Sequence, residues 1–316
     1  MFLHRNLWNG KHVHKQMKQF ALLEQRAGAH YKPIYRNLVR SWDREQGRYW
    51  VRDRNVRRAI RDYGGEEQRT DAWHAARSTM ITASEVGAVV DGTPSSRHEV
   101  MMRKVAPHRS ETRGGTFLTN PMMWGTVLEP IAKRIYENDT ACAIRDVSCV
   151  RHRHLPFLGA SPDGIIMTPL DRERHHCLVE FKCPKSRKIG GEIPKDYVHQ
   201  MQMQMECVGV DECEYVEFQF KVVFYTEWKD CTTKAKGILA MYDTGKVEEW
   251  DKPPGPIEEG QLVYWILEGV SRDLVVRDPN WLSGHLPKLR EFWDEVETHR
   301  RDGTSPAKPG VIKLEL

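Results

Sequence analysis

The sequence predicts an α/β fold in which a central mixed sheet of about five strands is flanked by helices, preceded by a basic helical extension and followed by a helical C-terminal region. Three observations predict it. Residues 144–225 hold five short apolar runs separated by turn residues, a strand texture. Segments before these runs repeat their apolar residues at intervals of three and four, a helix texture. Hydrophobic residues make up 40% of the 316, with ten Trp and ten Tyr, which supports a substantial core and argues against wholesale disorder. That length holds one large domain with appendages, or two domains, and excludes a small disulfide-stapled scaffold.

Taken in order, Phe20, Leu22, Leu23, Ile34, Leu38, Val39 and Trp42 recur at helical spacing, so residues 15–63 read as basic helices. Gly64-Gly65 breaks them, which delimits an extension over residues 1–68 from a core over 69–230. Thr82-Ala83-Ser84-Glu85 has capping-box spacing and starts a helix that runs to Val90; a short helix over Arg97–Val105 then leads into a loop. Trp124, Leu128, Ile131, Ala132 and Ile135 form one apolar stripe, predicting a helix from Met122 to Asn138 with a kink at Pro130. The five strand candidates are Ile144–Val150, Leu155–Ala160, Gly164–Thr168, Leu178–Cys183 and Tyr215–Tyr225. Between the last two, Pro194–Val208 reads as a helix, because Gln and Met are good helix formers and the unbroken length exceeds most strands. In the C-terminal region, 231–316, a loop at Pro253, Pro254 and Pro256 precedes a helix ending near Gly269. A last helix over Leu286–His299 and an unstructured tail from Gly303 complete the chain.

Composition narrows the function classes. Residues 1–68 carry 15 Lys and Arg against 7 Asp and Glu, a net of +8, so the remainder carries −4 of the total +4. A basic arm on a mildly acidic body suits a polyanion, since bound Lys and Arg release phosphate counterions; a solvated helical face has the same composition. Seven cysteines without a CxxC pair point to reduced thiols rather than a disulfide framework or zinc ribbon. His152, His154, His175, His176 and Cys177 match no zinc spacing and read as ordinary surface or core residues. No window reaches the roughly 18 apolar residues of a membrane span, and the opening residues lack a secretory apolar stretch, so the expectation is a soluble intracellular protein.

The chemistry lies in Ser161-Pro162-Asp163-Gly164, followed after fifteen residues by Glu180-Phe181-Lys182. On a strand, Glu180 and Lys182 project from one face while Val179, Phe181 and Cys183 take the other. Asp163, at the start of the neighbouring strand, reaches the same spot. Two carboxylates at one point repel unless a cation lies between them, and hard oxygen ligands suit Mg²⁺ or Mn²⁺. A divalent ion beside a lysine fits phosphodiester hydrolysis: the metal activates water, and the lysine orients that water or stabilises the oxyanion. Arginine would serve worse at position 182, since it does not give up its proton. A surface hairpin with alternating charges would present the same residues.

The wider pattern resembles the PD-(D/E)xK nuclease superfamily, and within it the lambda exonuclease and YqaJ-type viral recombinase family. The likeness runs from about Asp71 to Gln204 in six ordered blocks: Asp71-Ala72-Trp73-His74 with Arg77; Ile81 to Val86; Trp124-Gly125 with Glu129; Ser161 to Gly164; Glu180 to Pro184; and Tyr197 with Gln200 and Gln202. The resemblance implies a restriction-endonuclease-like core. It implies that Asp163, Glu180 and the Phe181 backbone carbonyl hold Mg²⁺ (Mn²⁺ substituting), that Glu129 is a further metal-site acid, and that Lys182 is the active-site lysine. Arg77 and Ser84 match its 5′-phosphate pocket, and Tyr197 and Gln200 match residues lining the same cleft.

The function this implies is a Mg²⁺-dependent exonuclease that degrades linear double-stranded DNA from 5′-phosphorylated ends, leaving 3′ overhangs for recombination or end processing. Implied partners are duplex DNA ends and a single-strand annealing protein, with no membrane. The likeness does not extend to residues 1–68 or beyond Tyr225, so it leaves a homo-oligomer and the role of the basic arm open. Two other readings fit the same residues: an endonuclease or structure-selective nuclease with this metal site, and a DNA-binding recombination scaffold with little catalysis. The intact Asp163, Glu180 and Lys182 set disfavours the scaffold, because converging acids repel phosphate. The scattered cysteines disfavour an iron–sulfur nuclease.

Overall fold

The computed structural model describes residues 51–65, 68–106, 116–167, 176–250 and 260–310. The chain divides into two compact units, 1–54 and 55–316. The second carries the fold described below. The helices expected over residues 15–50 lie outside the described residues.

Polar caps start most helices where the sequence places them. Residues 55–63 are helical (α1). Helix α2 (Asp71–Ser78) begins at Thr70, whose hydroxyl accepts from the Trp73 amide at 3.2 Å. Helix α3 (Ala83–Val90) follows the short strand β1 (Ile81–Thr82), and the Glu85 carboxylate reaches back to the Thr82 amide at 3.0 Å and hydroxyl at 2.6 Å. Helix α4 (Pro94–Val105) has proline in its first turn, which needs no N–H there. Helix α5 (Pro121–Thr140) is capped by the Asn120 side chain, which accepts from the Met122 amide at 2.9 Å, and it continues through Pro130. Helix α6 (Lys195–Val208) stops at Gly209, whose φ of 82° is left-handed and whose missing side chain leaves room for Asn55. A short α7 (Tyr225–Asp230) and the long α8 (Trp281–Asp302) follow.

The remaining strands are β2 (Ala143–Arg145), β3 (Val150–Arg151), β4 (Leu158–Ala160), β5 (Gly164–Met167), β6 (Leu178–Lys182), β7 (Glu212–Val223), β8 (Lys236–Tyr242), β9 (Val247–Trp250) and β10 (Gly260–Val276). The main sheet has the order β2-β5-β6-β7-β10-β8-β9; β6 and β7 run parallel and every other neighbouring pair is antiparallel. A smaller sheet, β1-β4-β3, lies beside it.

The mixed sheet flanked by helices is the predicted class, and α8 supplies the C-terminal helix. The main sheet has seven strands where the sequence suggests about five. Four of the seven, β2, β5, β6 and β7, fall in expected strand segments, whereas the expected Leu155–Ala160 strand (β4) belongs to the smaller sheet. The other three come from residues 236–276, read from sequence as a loop and then a helix ending near Gly269, which the structure corrects to β8, β9 and β10. Leu262 to Leu267 is a continuous apolar run, for which period does not separate helix from strand. Pairing decides: β10 lies between β7 and β8, whose residues are distant or unremarkable in sequence.

The two sheet faces bury different cores. Ile165, Leu178, Cys213 and Tyr215 pack with Met201 and Met205 of α6, Val86 of α3, and Phe292 and Val296 of α8. Ile166, Val179, Phe181, Val216 and Phe218 pack with Trp124, Leu128 and Ile135 of α5. Each fully buried Leu, Ile or Phe contributes roughly 1.5–3 kcal/mol, so the α5 and α6 stripes fix both helices against opposite faces. Glu180 shares the α6 face because it alternates with Val179 and Phe181.

Candidate active site

Strand β6 carries the centre of the site. Glu180 is 1% exposed. Its Oε1 accepts from Lys182 Nζ and, at 2.5 Å, from Gln200 Nε2; its Oε2 accepts from Gln204 Nε2 at 2.7 Å. Asp163 ends the Ser161-Pro162 turn, which Gln68 holds by donating to the Val147 carbonyl at 2.9 Å and the Pro162 carbonyl at 3.3 Å. The Asp163 Oδ2 accepts from the Phe181 amide at 2.7 Å, pinning that carboxylate beside β6.

Electrostatics bind these groups together. Burial pushes the Asp163 carboxyl well above its ordinary pKa; the Glu180 charge adds to the push, Glu129 contributes, and Lys182 opposes it. Burial also works against the Lys182 charge, but Glu180 and Asp163 outweigh it and raise that ammonium above the usual lysine range. The two carboxylates thus favour the ammonium form of Lys182, a donor, so the preference for lysine over arginine at 182 as a group able to give up its proton finds no support in this geometry. Its Nζ lies 4.9 Å from the centre of the Tyr197 ring, and Tyr197 in turn packs near Tyr215 at 6.1 Å.

Glu129, on α5, is close enough for its charge to act on Asp163 and Lys182. It does not pair with Lys133, which bonds Asp146 at 2.5 Å; its partner is Arg69 at 2.7 Å. Arg77 and Ser84 come together as expected: the guanidinium donates to the Ser84 hydroxyl at 3.0 Å and the Thr82 hydroxyl at 3.1 Å, at the first turn of α3. Burial lowers the Arg77 pKa from its usual value, with the Glu85 charge acting against that shift. Trp73 is half-buried and connects the two clusters. Its ring lies 4.3 Å from the Arg77 guanidinium, and its Nε1 donates at 3.2 Å to Ser161, two residues before Asp163.

Arg77, Ser84, Glu129, Asp163, Glu180, Lys182, Tyr197 and Gln200 thus fall around β6 and the start of α3. Sequence reasoning passed over Arg69, the linking role of Trp73, and Gln204. Gln204 had a legible signal, since it sits four residues after Gln200 on the same helical face. Gln202, two residues after Gln200, faces elsewhere: it donates to the Val276 carbonyl at 2.9 Å.

The donor set fits a hard divalent cation. Asp163 and Glu180 supply anionic oxygens whose mutual repulsion a cation would relieve. Among the described residues no three His, Cys, Asp or Glu close tightly on one point. The histidines near residue 152 form no metal centre among the described residues; His152 instead accepts from the His154 and Leu155 amides at 3.3 and 3.0 Å. All seven cysteines are free thiols. No described helix is long and apolar enough to cross a membrane.

Comparison with known proteins places this core in a family. Residues 72–211 match the model of the YqaJ-like viral recombinase domain. An uncharacterised protein of Acanthamoeba polyphaga mimivirus is 23% identical over 299 residues, covering 74% of this chain and 53% of its own. A protein of African swine fever virus is 26% identical over 185 residues, covering 49% and 51%. The chain thus spans about half the length of the curated relatives it matches. Among solved structures, an alkaline exonuclease from Laribacter hongkongensis superposes with a TM-score of 0.48 at 22% identity, covering 74% of this chain and 95% of that one. A phage-related exonuclease from Haemophilus somnus gives 0.43 at 11% identity, covering 71% and 96%. With its sequence blocks in order, the segment 72–211 carries the YqaJ-like viral recombinase domain.

Proposed function

We propose that this protein is a divalent-metal-dependent deoxyribonuclease that digests linear duplex DNA from 5′-phosphorylated ends, leaving 3′ single strands. The observation that carries the reading is the junction of two clusters: Trp73 joins the Arg77–Ser84 pair to the turn bearing Asp163, one indole away from the paired acids. In this reading Arg77 offers a donor fork to a terminal phosphate, and the first turn of α3 adds backbone N–H groups that favour an anion. A phosphate held there sets the scissile bond near Asp163 and Glu180. Asp163, Glu180 and the Phe181 carbonyl hold Mg²⁺ or Mn²⁺, with Glu129 as a further acid. When bound, the cation supplies an activated water and offsets the charge developing on phosphorus. Lys182, kept protonated, donates to the oxyanion or fixes the water's orientation. Tyr197 and Gln200 line the cleft and hold Lys182 and Glu180 in place.

The test is a time course on linear duplex labelled separately at each end, with 5′-phosphate or 5′-hydroxyl termini, in Mg²⁺. The expected result is early loss of the 5′ label, slower on 5′-hydroxyl ends and with Arg77→Ala, and none with Lys182→Ala. Removing one charge-assisted hydrogen bond to phosphate costs roughly 1.5–3 kcal/mol, or about 10- to 150-fold on phosphorylated ends. Cutting of closed circles would replace this reading with an endonuclease. Binding without Lys182-dependent cleavage would replace it with a recombination scaffold.

A further inference from the structure

Three glutamines alternate with methionines along α6, and the structure divides them by role. Gln202 clamps the end of β10: its Nε2 donates to the Val276 carbonyl at 2.9 Å and its Oε1 accepts from the Asp278 amide at 2.8 Å. Gln200 and Gln204, one helical turn apart, each give an amide N–H to a different oxygen of Glu180, at 2.5 and 2.7 Å.

We infer that Gln204 is a positioning residue that fixes the orientation of Glu180 toward a divalent cation, an inference that rests on Glu180 being a cation ligand as proposed above. Gln204 is fully buried, and its Oε1 has no hydrogen-bond partner. A buried acceptor left unpaired costs roughly 1–3 kcal/mol. Methionine occupies positions 201, 203 and 205 of the same helix and matches glutamine in length and flexibility without that cost. Packing therefore favours methionine at 204. What methionine cannot do is donate to Glu180 Oε2.

Two further features make an amide suited to that task. Lys182 and Gln200 both act on Oε1, so without Gln204 the second oxygen has no donor to stop the carboxylate swinging. An amide is also neutral: it orients the carboxylate without adding to the positive charge that Lys182 already sets against it, where a lysine or arginine at 204 would compete further with a cation. The charge on Glu180 settles which end of the amide faces it, and the carbonyl is left as the orphan.

The experiment measures Mn²⁺ binding by titration calorimetry and urea unfolding, on the full chain without DNA, for wild type, Gln204→Met, Gln202→Met and Asp163→Asn. Gln204→Met is expected to bind Mn²⁺ roughly 10-fold more weakly, as for other partners that orient metal ligands, with an unchanged or higher unfolding midpoint. Gln202→Met is expected to do the reverse, losing stability and keeping affinity. Undiminished Mn²⁺ affinity in Gln204→Met overturns the inference. So does a fall in affinity that comes with a lower midpoint, since that makes Gln204 a packing residue. If wild type and Asp163→Asn bind Mn²⁺ alike, the assignment of the acids as cation ligands fails, and this inference with it.

Discussion

At the scale of single residues, the site stores repulsion that binding can release. Asp163, half-buried, sits beside the buried Glu180, and desolvation together with the Glu180 charge raises the Asp163 pKa. An acid whose folded pKa lies above its unfolded value makes folding less favourable as pH rises between the two. Asp163→Asn removes that charge and keeps an oxygen for the Phe181 amide. We expect it to raise stability at neutral pH by roughly 0.5–2 kcal/mol, the usual scale of a stabilising substitution, while abolishing cleavage. Thermal unfolding beside the end-label assay checks both halves; a destabilised Asp163→Asn protein would contradict the account of a strained pair.

Elements are joined to one another by a few buried polar ties, and Lys104 on α4 is the clearest. It is 4% exposed; its Nζ donates to the Arg77 carbonyl at the end of α2 at 2.8 Å and pairs with Glu85 of α3 at 2.7 Å. Arg300 of α8 closes the same junction, donating to the Lys104 carbonyl at 2.9 Å and the Ser78 carbonyl at 2.7 Å. Burial raises the Glu85 pKa, but Lys104, Thr82 and Arg77 outweigh it and hold it below the usual value. Lys104→Met strands the carboxylate and is expected to cost roughly 3 kcal/mol in urea unfolding at neutral pH. Because the folded pKa of Glu85 is depressed, its contribution is present above the unfolded value of about 4.3 and fades as pH falls through the folded value. The gap between wild type and variant should therefore narrow on acidification; a gap independent of pH would place the cost in packing instead. Gly87 marks another tight junction, where an added Cβ would meet Asp196 Oδ1 at 2.6 Å, so α3 and the start of α6 approach closely only with glycine there.

At the scale of the whole molecule, charge is unevenly distributed along the chain. Residues 1–54, the first of the two units, carry 12 Lys and Arg against 4 Asp and Glu. If the basic unit neutralises DNA phosphates, its removal should flatten the dependence of log affinity on log salt by roughly 0.9 for each phosphate that is no longer neutralised, while Lys182-dependent cleavage survives. An unchanged salt slope after removal of residues 1–54 would assign this unit to another partner.

Much of this protein is decided by local pattern. The capping relation of Thr82 and Glu85, the apolar stripe from Trp124 to Ile135, and the alternation of Glu180 and Lys182 against Val179 and Phe181 are all visible in the chain, because helix and strand periods fix which side chains share a face. The six ordered blocks from Asp71 to Gln204 likewise pick out the candidate site residues without coordinates. Other features depend on partners far along the chain. Leu262 to Leu267 is a strand because β7 and β8 flank it, and Glu129 pairs with Arg69 across 60 residues instead of with nearby Lys133. Trp73 becomes a bridge only when Ser161 is brought to it across 88 residues. Local sequence determined the elements and the chemical inventory, whereas tertiary structure decided the sheet's extent and which polar groups meet, since hydrogen bonding and burial are satisfied by whatever folding brings within reach.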